Sequence, residues 1–288
     1  MTAFAAARLR RVERFGVTLA ALLLAVTSAA AQGPQVSVRE LLQQARAQSS
    51  AGNSAAALES LRQARALAPN SEEVLSALAQ VSLAAHAPLP AITVLEPLTR
   101  ICPGVAQYQY LLGVALMQAG DLVAAVEALQ QAQRLEPDRE LTLVALGLAL
   151  NGRKMYLESE AHLRRSLELQ PGNIEAIAAL AEAEEGIGNL EEAEVLARRV
   201  LASSDAHATA SLVLGLVLMK HERYAAARDA LLKAVVANPV SPRAHYQLSL
   251  AYARLGDQAS SEKHLELYRL KLREVEERAT AVRNRTGS

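Results

Sequence analysis

The sequence predicts an all-α solenoid, in which short helix pairs stack into a superhelix. Composition is the first observation: 51% of the 288 residues are hydrophobic but only 3% are aromatic. A core built from Ala, Leu and Val favours closely packed helices over a β-sandwich. The second observation is a proline period of 34 residues. The third is a set of small residues and leucines that recur in register with those prolines.

Proline marks the end of the repeating unit. Successive intervals of 34, 34, 34 and 68 residues separate Pro69, Pro103, Pro137, Pro171 and Pro239. Asp205 occupies the place of the missing member. The period divides the chain into seven units, 38–71, 72–105, 106–139, 140–173, 174–207, 208–241 and 242–275. Because no insertion disturbs the spacing, we expect one elongated array.

When the seven units are aligned, four further positions carry the same kind of residue in nearly every unit, and we refer to these aligned positions as columns. Position eight of each unit is small, at Ala45, Ala79, Gly113, Gly147, Ala181, Gly215 and Ser249. Position twenty is also small, at Ala57, Ala91, Ala125, Ser159, Ala193, Ala227 and Ser261. Position seven is Leu in all but the first unit, and position twenty-four in all but the fifth. Small residues let two helix backbones approach, and the leucines fill the seam beside them.

Each unit predicts two helices joined by a turn. Its two apolar-periodic segments, of about 14 residues each, are too short to be stable alone. Glycine at position fifteen supplies the turn in four units, at Gly52, Gly120, Gly188 and Gly256. Proline at position thirty-two ends the second helix, because it lacks an N–H donor and restricts the residue before it. One pair cannot bury its apolar face, so neighbouring pairs must stack.

These columns resemble the tetratricopeptide repeat. The third unit carries the resemblance most fully, in Leu112-Gly113, Gly120, Ala125, Leu129, Ala132 and Pro137. It extends from residue 38 to about residue 275, although Leu and small residues replace the family's usual Trp and Phe columns. The resemblance implies a right-handed superhelix of helix-turn-helix units. It also implies that the first helices line a concave face that holds protein partners.

Residues 1–31 predict an export signal. Arginines between Arg8 and Arg14 precede an uncharged apolar stretch that ends in Ala29-Ala30-Ala31. A positive region, an apolar region and a small-x-small site are typical of a cleaved signal peptide. Residues 32–37 then form a linker, and the exported protein, periplasmic or secreted, keeps no membrane span. An uncleaved segment that anchors the protein in a membrane is the alternative.

The C-terminal end predicts an extended capping helix. The seventh unit continues beyond residue 275 into Glu276-Glu277-Arg278. We expect this helix to end within residues 276–288, with a disordered tail over 283–288.

The concave positions are mainly apolar. By resemblance they are positions two, five, nine and twelve of the first helices. The candidate partner-binding residues are Tyr110, Val114, Met117, Val144, Leu148, Glu175, Glu182, Glu185, Leu212, Leu216, Met219, Arg243, Tyr246 and Leu250. An apolar stripe with Met and Tyr favours capture of a partner helix or extended peptide. Alternatively, neighbouring units or the C-terminal helix cover this face.

The fifth unit places three glutamates at the concave positions, and we refer to these three residues as the acidic step. Glu175, Glu182 and Glu185 share one helix face, since they lie at i, i+7 and i+10. They either select a partner with a basic group beside an apolar segment, or form a plain solvated face.

Other functional classes lack their motifs. A net charge of zero without a basic run argues against nucleic-acid binding. There is no phosphate-binding loop, nucleophile elbow or zinc-protease motif, and the six His lie in six different elements, so we expect no catalytic residue, metal or cofactor. The single Cys102 excludes an internal disulfide. It is either a semi-buried apolar residue or a source of an intermolecular disulfide.

Two functional hypotheses remain. The first is a non-enzymatic interaction module or scaffold, in the cell envelope or outside the cell, that holds a protein or peptide in its groove. The alternative is a self-associating structural subunit of an envelope complex. The fold by itself does not decide between them.

Overall fold

The computed structural model describes residues 37–286, and within that range the chain is all-α, with no β-strand. The export signal expected over residues 1–31 lies outside the described residues. Fourteen helices follow one another: α1 Val38–Ser50, α2 Ser54–Leu67, α3 Glu72–Ala84, α4 Pro88–Ile101, α5 Ala106–Ala119, α6 Leu122–Leu135, α7 Glu140–Gly152, α8 Tyr156–Leu169, α9 Ile174–Ile187, α10 Leu190–Ser203, α11 Ala208–Lys220, α12 Tyr224–Ala237, α13 Pro242–Arg254 and α14 Gln258–Thr286.

The helices form seven consecutive pairs in strict register. Odd-numbered helices begin 34 residues apart, and so do even-numbered ones. Each helix packs mainly against its partner and against the next helix along the chain. The predicted α-solenoid of helix pairs is confirmed.

The small residues at position eight lie under the leucines at position twenty-four. A Cβ added to Gly147 would approach Leu163 Cγ to 2.5 Å, and one added to Gly113 would approach Leu129 Cγ to the same distance. Leu163 is fully buried, so its side chain cannot move aside. These glycines therefore set how closely the two helices of a pair approach.

Every inner turn uses a left-handed backbone at position fifteen. The four glycines there have φ between 76° and 107°. In the other three pairs the residue is His86, Lys154 or Glu222, with φ of 52°, 61° and 59°. All seven turns therefore adopt the left-handed conformation at position fifteen. In three of them the residue is not glycine, and its side chain makes that conformation strained.

The odd-numbered helices form the inner layer of the solenoid. Each contacts the next odd-numbered helix, whereas the even-numbered helices make no comparable contact with one another in the described part of the chain. In a curved two-layer array the more closely spaced layer lies on the inside of the curve. The inner face is therefore built by α1, α3, α5, α7, α9, α11 and α13.

The last helix is longer than the sequence predicts. α14 contains 29 residues and continues to Thr286, and it therefore extends into residues 283–288, where a disordered tail is predicted. No proline or glycine interrupts the segment before Gly287, and the i,i+3 ion pair of Lys271 with Glu274 supports it. Among the described residues, no helix combines the length and apolar character that a membrane crossing requires.

Candidate functional site on the inner face

Four apolar side chains of α5 and α7 lie half-buried on the inner face. They are Tyr110, Val114, Met117 and Leu148, and we refer to them as the inner patch. Each packs partly against the core of the solenoid. Leu212 and Met219 of α11 are likewise half-buried, while Tyr246 and Leu250 of α13 are 39% and 36% exposed. The inner face thus leaves apolar surface within reach of another molecule.

Two candidate residues belong to the core instead. Val144 is 7% exposed and Leu216 is 6% exposed. Val144 packs in a core cluster with Ala176 and Leu180 of α9, and α11, which carries Leu216, also contacts α9. Neighbouring repeats therefore leave Val144 and Leu216 little surface for a partner, and their contact with one stays a prediction.

Arg139 covers one edge of the inner patch. Its guanidinium carbon lies 4.9 Å from the centre of the Tyr110 ring, a cation–π arrangement. Burial raises the pKa of Tyr110, while the charge of Arg139 opposes that rise. Arg139 also forms an ion pair with Glu136 at 3.7 Å. A cation therefore lies directly beside the apolar surface.

The acidic step forms an ion cluster with cations from later repeats. Arg243 of α13 contacts Glu182 at 2.6 Å and Glu185 at 2.9 Å, both on α9. Lys220 of α11 contacts Glu185 at 2.9 Å. We refer to Glu182, Glu185, Lys220 and Arg243 as the ion cluster. Its two carboxylates and two cations cancel in charge, so it offers a partner no net negative charge.

The cluster is partly shielded from water. Glu185 has a side chain that is 7% exposed, against 22% for Glu182 and 37% for Arg243. Burial raises the pKa of Glu182, and the positive charge and hydrogen bond of Arg243 offset part of that rise. Burial also raises the pKa of nearby Tyr156. The guanidinium therefore compensates carboxylates that the fold has removed from solvent.

Neither alternative for the acidic step describes this arrangement. Glu182 and Glu185 are neither a free site for a basic partner nor a solvated face, because the chain supplies their cations. Glu175 lies apart from them, with its carboxylate 3.3 Å from His207 and a side chain that is 56% exposed. Sequence reasoning missed Lys220 because it lies at position thirteen of its unit, outside positions two, five, nine and twelve of the inner face.

Two histidines meet at the base of α14. His245 Nε2 donates to the carbonyl oxygen of Pro239 at 3.1 Å, which leaves Nδ1 to accept from His264 Nδ1 at 3.1 Å. The two rings stack, and Tyr252 stacks on the other side of His264. Burial lowers the pKa of His264, as do the neighbouring His245 and Lys263. No sequence motif signals this pair, since 19 residues separate its members.

The remaining reactive groups are dispersed. In residues 37–286, no three potential metal ligands gather at one point. Cys102 is half-buried at the end of α4, and burial raises the pKa of its thiol, with a further contribution from Glu72. A raised pKa disfavours the thiolate that disulfide exchange requires. This environment fits the reading of Cys102 as a semi-buried apolar residue.

Comparison with solved structures supports the fold. A tetratricopeptide repeat protein from Parabacteroides merdae superposes with a TM-score of 0.68 at 13% identity, over 84% of this chain and 97% of that one. A chain of the APC/C hetero-tetramer Cut9–Hcn1 gives 0.64 at 17% identity, over 80% of this chain and 45% of that one. The type IV pilus biogenesis factor PilW gives 0.56 at 18% identity, over 67% and 90%. No curated protein sequence matches the chain.

The sequence itself carries the family signature. The tetratricopeptide repeat profile matches residues 91–140, 110–174, 178–242 and 212–271, which together cover more than half of the chain. Proteins of this kind generally mediate protein–protein interaction. With the repeat period, the paired helices and the profile in agreement, the chain belongs to the tetratricopeptide repeat family.

Proposed function

We propose that this protein is an exported, non-enzymatic interaction module that holds a helix or peptide of a partner protein against its inner face. The observation that carries the proposal is the inner patch. Four apolar side chains from two neighbouring repeats are only half-buried on one surface. Apolar area of this kind lowers the free energy of a complex when a partner covers it.

The chemistry of the inner face favours an apolar, helical or extended segment over a highly charged one. Met117 and Leu148 adapt to partner side chains of different shapes, and Tyr110 adds an aromatic surface. The ion cluster is neutral, and the charges of Arg139 and Glu140 beside Tyr110 are of opposite sign. We expect partner affinity to come mainly from apolar burial, with weak dependence on salt.

Export is part of the proposal and rests on residues 1–31. The positive region and the Ala29-Ala30-Ala31 site support secretion followed by cleavage. Intact-mass measurement of protein recovered outside the cytoplasm should give a chain that starts at Gln32. A mature chain that still starts at Met1 would favour the membrane-anchored alternative.

Site-specific photocrosslinking tests the binding surface. A photoreactive residue at Leu148, on the inner patch, should form adducts with a partner in cells. The matched control is Leu157 on α8, whose side chain is 72% exposed on the outer layer. Adducts that form from Leu157 and not from Leu148 would show that the partner uses the outer surface.

Self-association is the second candidate. Exposed apolar side chains of the even-numbered helices favour it, among them Val195 at 66% and Val236 at 78% exposure. They lie on α10 and α12, but single exposed apolar residues are common on monomers. We therefore expect a monomer by sedimentation equilibrium, and a defined oligomer would favour the structural-subunit hypothesis.

A further inference from the structure

The C-terminal helix returns to the third repeat. α14 packs along α13, its partner in the seventh pair, and also contacts α5. α5 carries three of the four side chains of the inner patch. The chain therefore brings one of its own helices to the helix on which the proposed function rests.

The end of α14 extends beyond its partner helix. α13 contains 13 residues, so an antiparallel α14 can pair with it only over about its first 13 residues, to Leu270. The following residues overhang. Within the overhang, the Lys271 side chain is only 21% exposed and Leu272 is half-buried. Something other than α13 must cover them, and α5 is the more distant helix that α14 contacts.

One face of α14 is turned toward the solenoid. Tyr268 packs against Tyr246, one of the inner-face residues of α13, with ring centroids 5.1 Å apart. Tyr268 and Leu272 lie at i and i+4 and therefore share this face. By contrast, Leu270 is 43% exposed and Arg273 is exposed. This spacing of anchors is the pattern by which an amphipathic helix enters a groove.

We propose that the inner patch takes an amphipathic helix of the α14 type, and that a partner helix binds by replacing the end of α14. The inference rests on the proposed function and names the shape of its partner. A helix joined to its own site competes at an effective concentration in the millimolar range. A partner therefore meets a groove that is largely occupied, and its apparent affinity falls in proportion.

The test uses the full chain and a synthetic peptide of residues 262–286. The variant Leu272→Glu places a charge on the covered face of the overhang, beyond the part of α14 that pairs with α13. It should release the end of α14, and the peptide should then bind at least about ten-fold more tightly than it binds the wild type. The matched control is Leu270→Ala, on the exposed face, which should bind the peptide like the wild type.

Release is measured independently of binding. In a Cys102→Ser background, spin labels at exposed Gln118 of α5 and exposed Arg273 of α14 should give one narrow distance in the otherwise wild-type chain. The distribution should broaden with Leu272→Glu and remain narrow with Leu270→Ala. Tyr268→Ala is a second releasing variant, and circular dichroism establishes that each variant is folded.

Two results would overturn the inference. One is a label distance that does not change in either releasing variant, which would mean that the overhang is not held at α5. The other is a peptide that binds the released variants no more tightly than the wild type. If photocrosslinks from Leu148 persist in either case, the proposed function stands and only the role of α14 fails.

Discussion

Arg243 Nη2 lies 2.9 Å from a carboxylate oxygen of Glu185, although 58 residues separate the two in sequence. The pair joins α13 to α9 and passes over the intervening repeat. Lys220, from that repeat, holds the other oxygen of the same carboxylate at 2.9 Å. Three successive inner helices, from the last three repeats, are thus tied together at one point.

Removing the guanidinium should destabilise the protein in a pH-dependent way. Arg243→Ala leaves two shielded carboxylates with one cation. We expect the free energy of unfolding to fall by about 1–2 kcal/mol near neutral pH. The loss is smaller than for a fully buried pair, because Arg243 is partly exposed. Burial already raises the folded-state pKa of Glu182, and loss of Arg243 removes a group that lowers it. A raised carboxyl pKa favours folding at pH below the unfolded value, and this contribution is lost as pH rises through the folded value.

The deficit of Arg243→Ala should therefore shrink on acidification toward about pH 5. Urea unfolding at several pH values measures it. Arg165→Ala is the control, because its partners Asp138 and Glu168 are exposed, and it should cause no measurable change. An equal loss of stability for Arg243→Ala at every pH would contradict the account of the ion cluster.

The three non-glycine turns should gain stability from glycine. Lys154 and Glu222 hold φ near 60°, where a side chain is strained. Lys154→Gly or Glu222→Gly should raise the free energy of unfolding by about 0.5–1 kcal/mol, since relief of strain exceeds the entropy cost of glycine. The reverse change, Gly120→Ala, should lower it by a similar amount, although an added Cβ there meets nothing within 4 Å. Thermal or urea unfolding of the three variants compares them directly.

The close helix approach at Gly147 should not tolerate a methyl group. Gly147→Ala would place Cβ 2.5 Å from the buried Leu163 Cγ, so we expect a loss of about 1–3 kcal/mol in unfolding free energy. Gly172→Ala is the control, because its added Cβ contacts nothing within 4 Å and its φ is not positive. Equal stabilities of the two variants would mean that the helices at Gly147 and Leu163 are farther apart than in the structure.

The histidine pair should make stability fall at low pH. The folded-state pKa of His264 lies below its ordinary value. A lowered imidazole pKa gives stability that is fully present above the unfolded pKa and is lost as pH falls through the folded value. His264→Gln should flatten this loss between about pH 7 and pH 5. His221→Gln, at an exposed position, should follow the wild-type curve.

Partner binding should depend on the half-buried residues of the inner patch. Met117→Ala with Leu148→Ala should weaken a crosslinked partner by about ten-fold or more, because interface anchors typically cost 2 kcal/mol or more when truncated. Leu216 is unsuitable for this test, since it lies in the core. Calorimetric titration of the purified partner provides the measurement.

The control for that titration is Gln131→Ala with Arg198→Ala, both on even-numbered helices. Arg164, also on an even-numbered helix, is not a suitable control. Its guanidinium lies 2.6 Å from the fully buried carboxylate of Glu184, so replacing it would also destabilise the fold. Weakened binding by the control pair, with normal binding by the inner-patch pair, would place the partner on the outer layer.

The sequence by itself determined the helices and their pairing. Helix starts follow a 34-residue period because each unit encodes the same local pattern, from the left-handed turn at position fifteen to the proline that ends the second helix. The small residues at positions eight and twenty are buried in every pair except at Ser261, which is half-buried. The sequence pattern of one 34-residue unit is therefore enough to predict the contacts within a repeat and between adjacent repeats.

Tertiary structure alone decided what the inner face presents. Val144 and Leu148 are both apolar and both occupy inner-face positions of the fourth unit, so the sequence pattern does not distinguish them. Which of the two is covered depends on how closely the odd-numbered helices approach one another. The pairing of Arg243 with Glu185 skips a repeat, and the return of α14 to α5 spans four. Such contacts depend on the accumulated curvature of the superhelix, a property of the whole stack that no single repeat encodes.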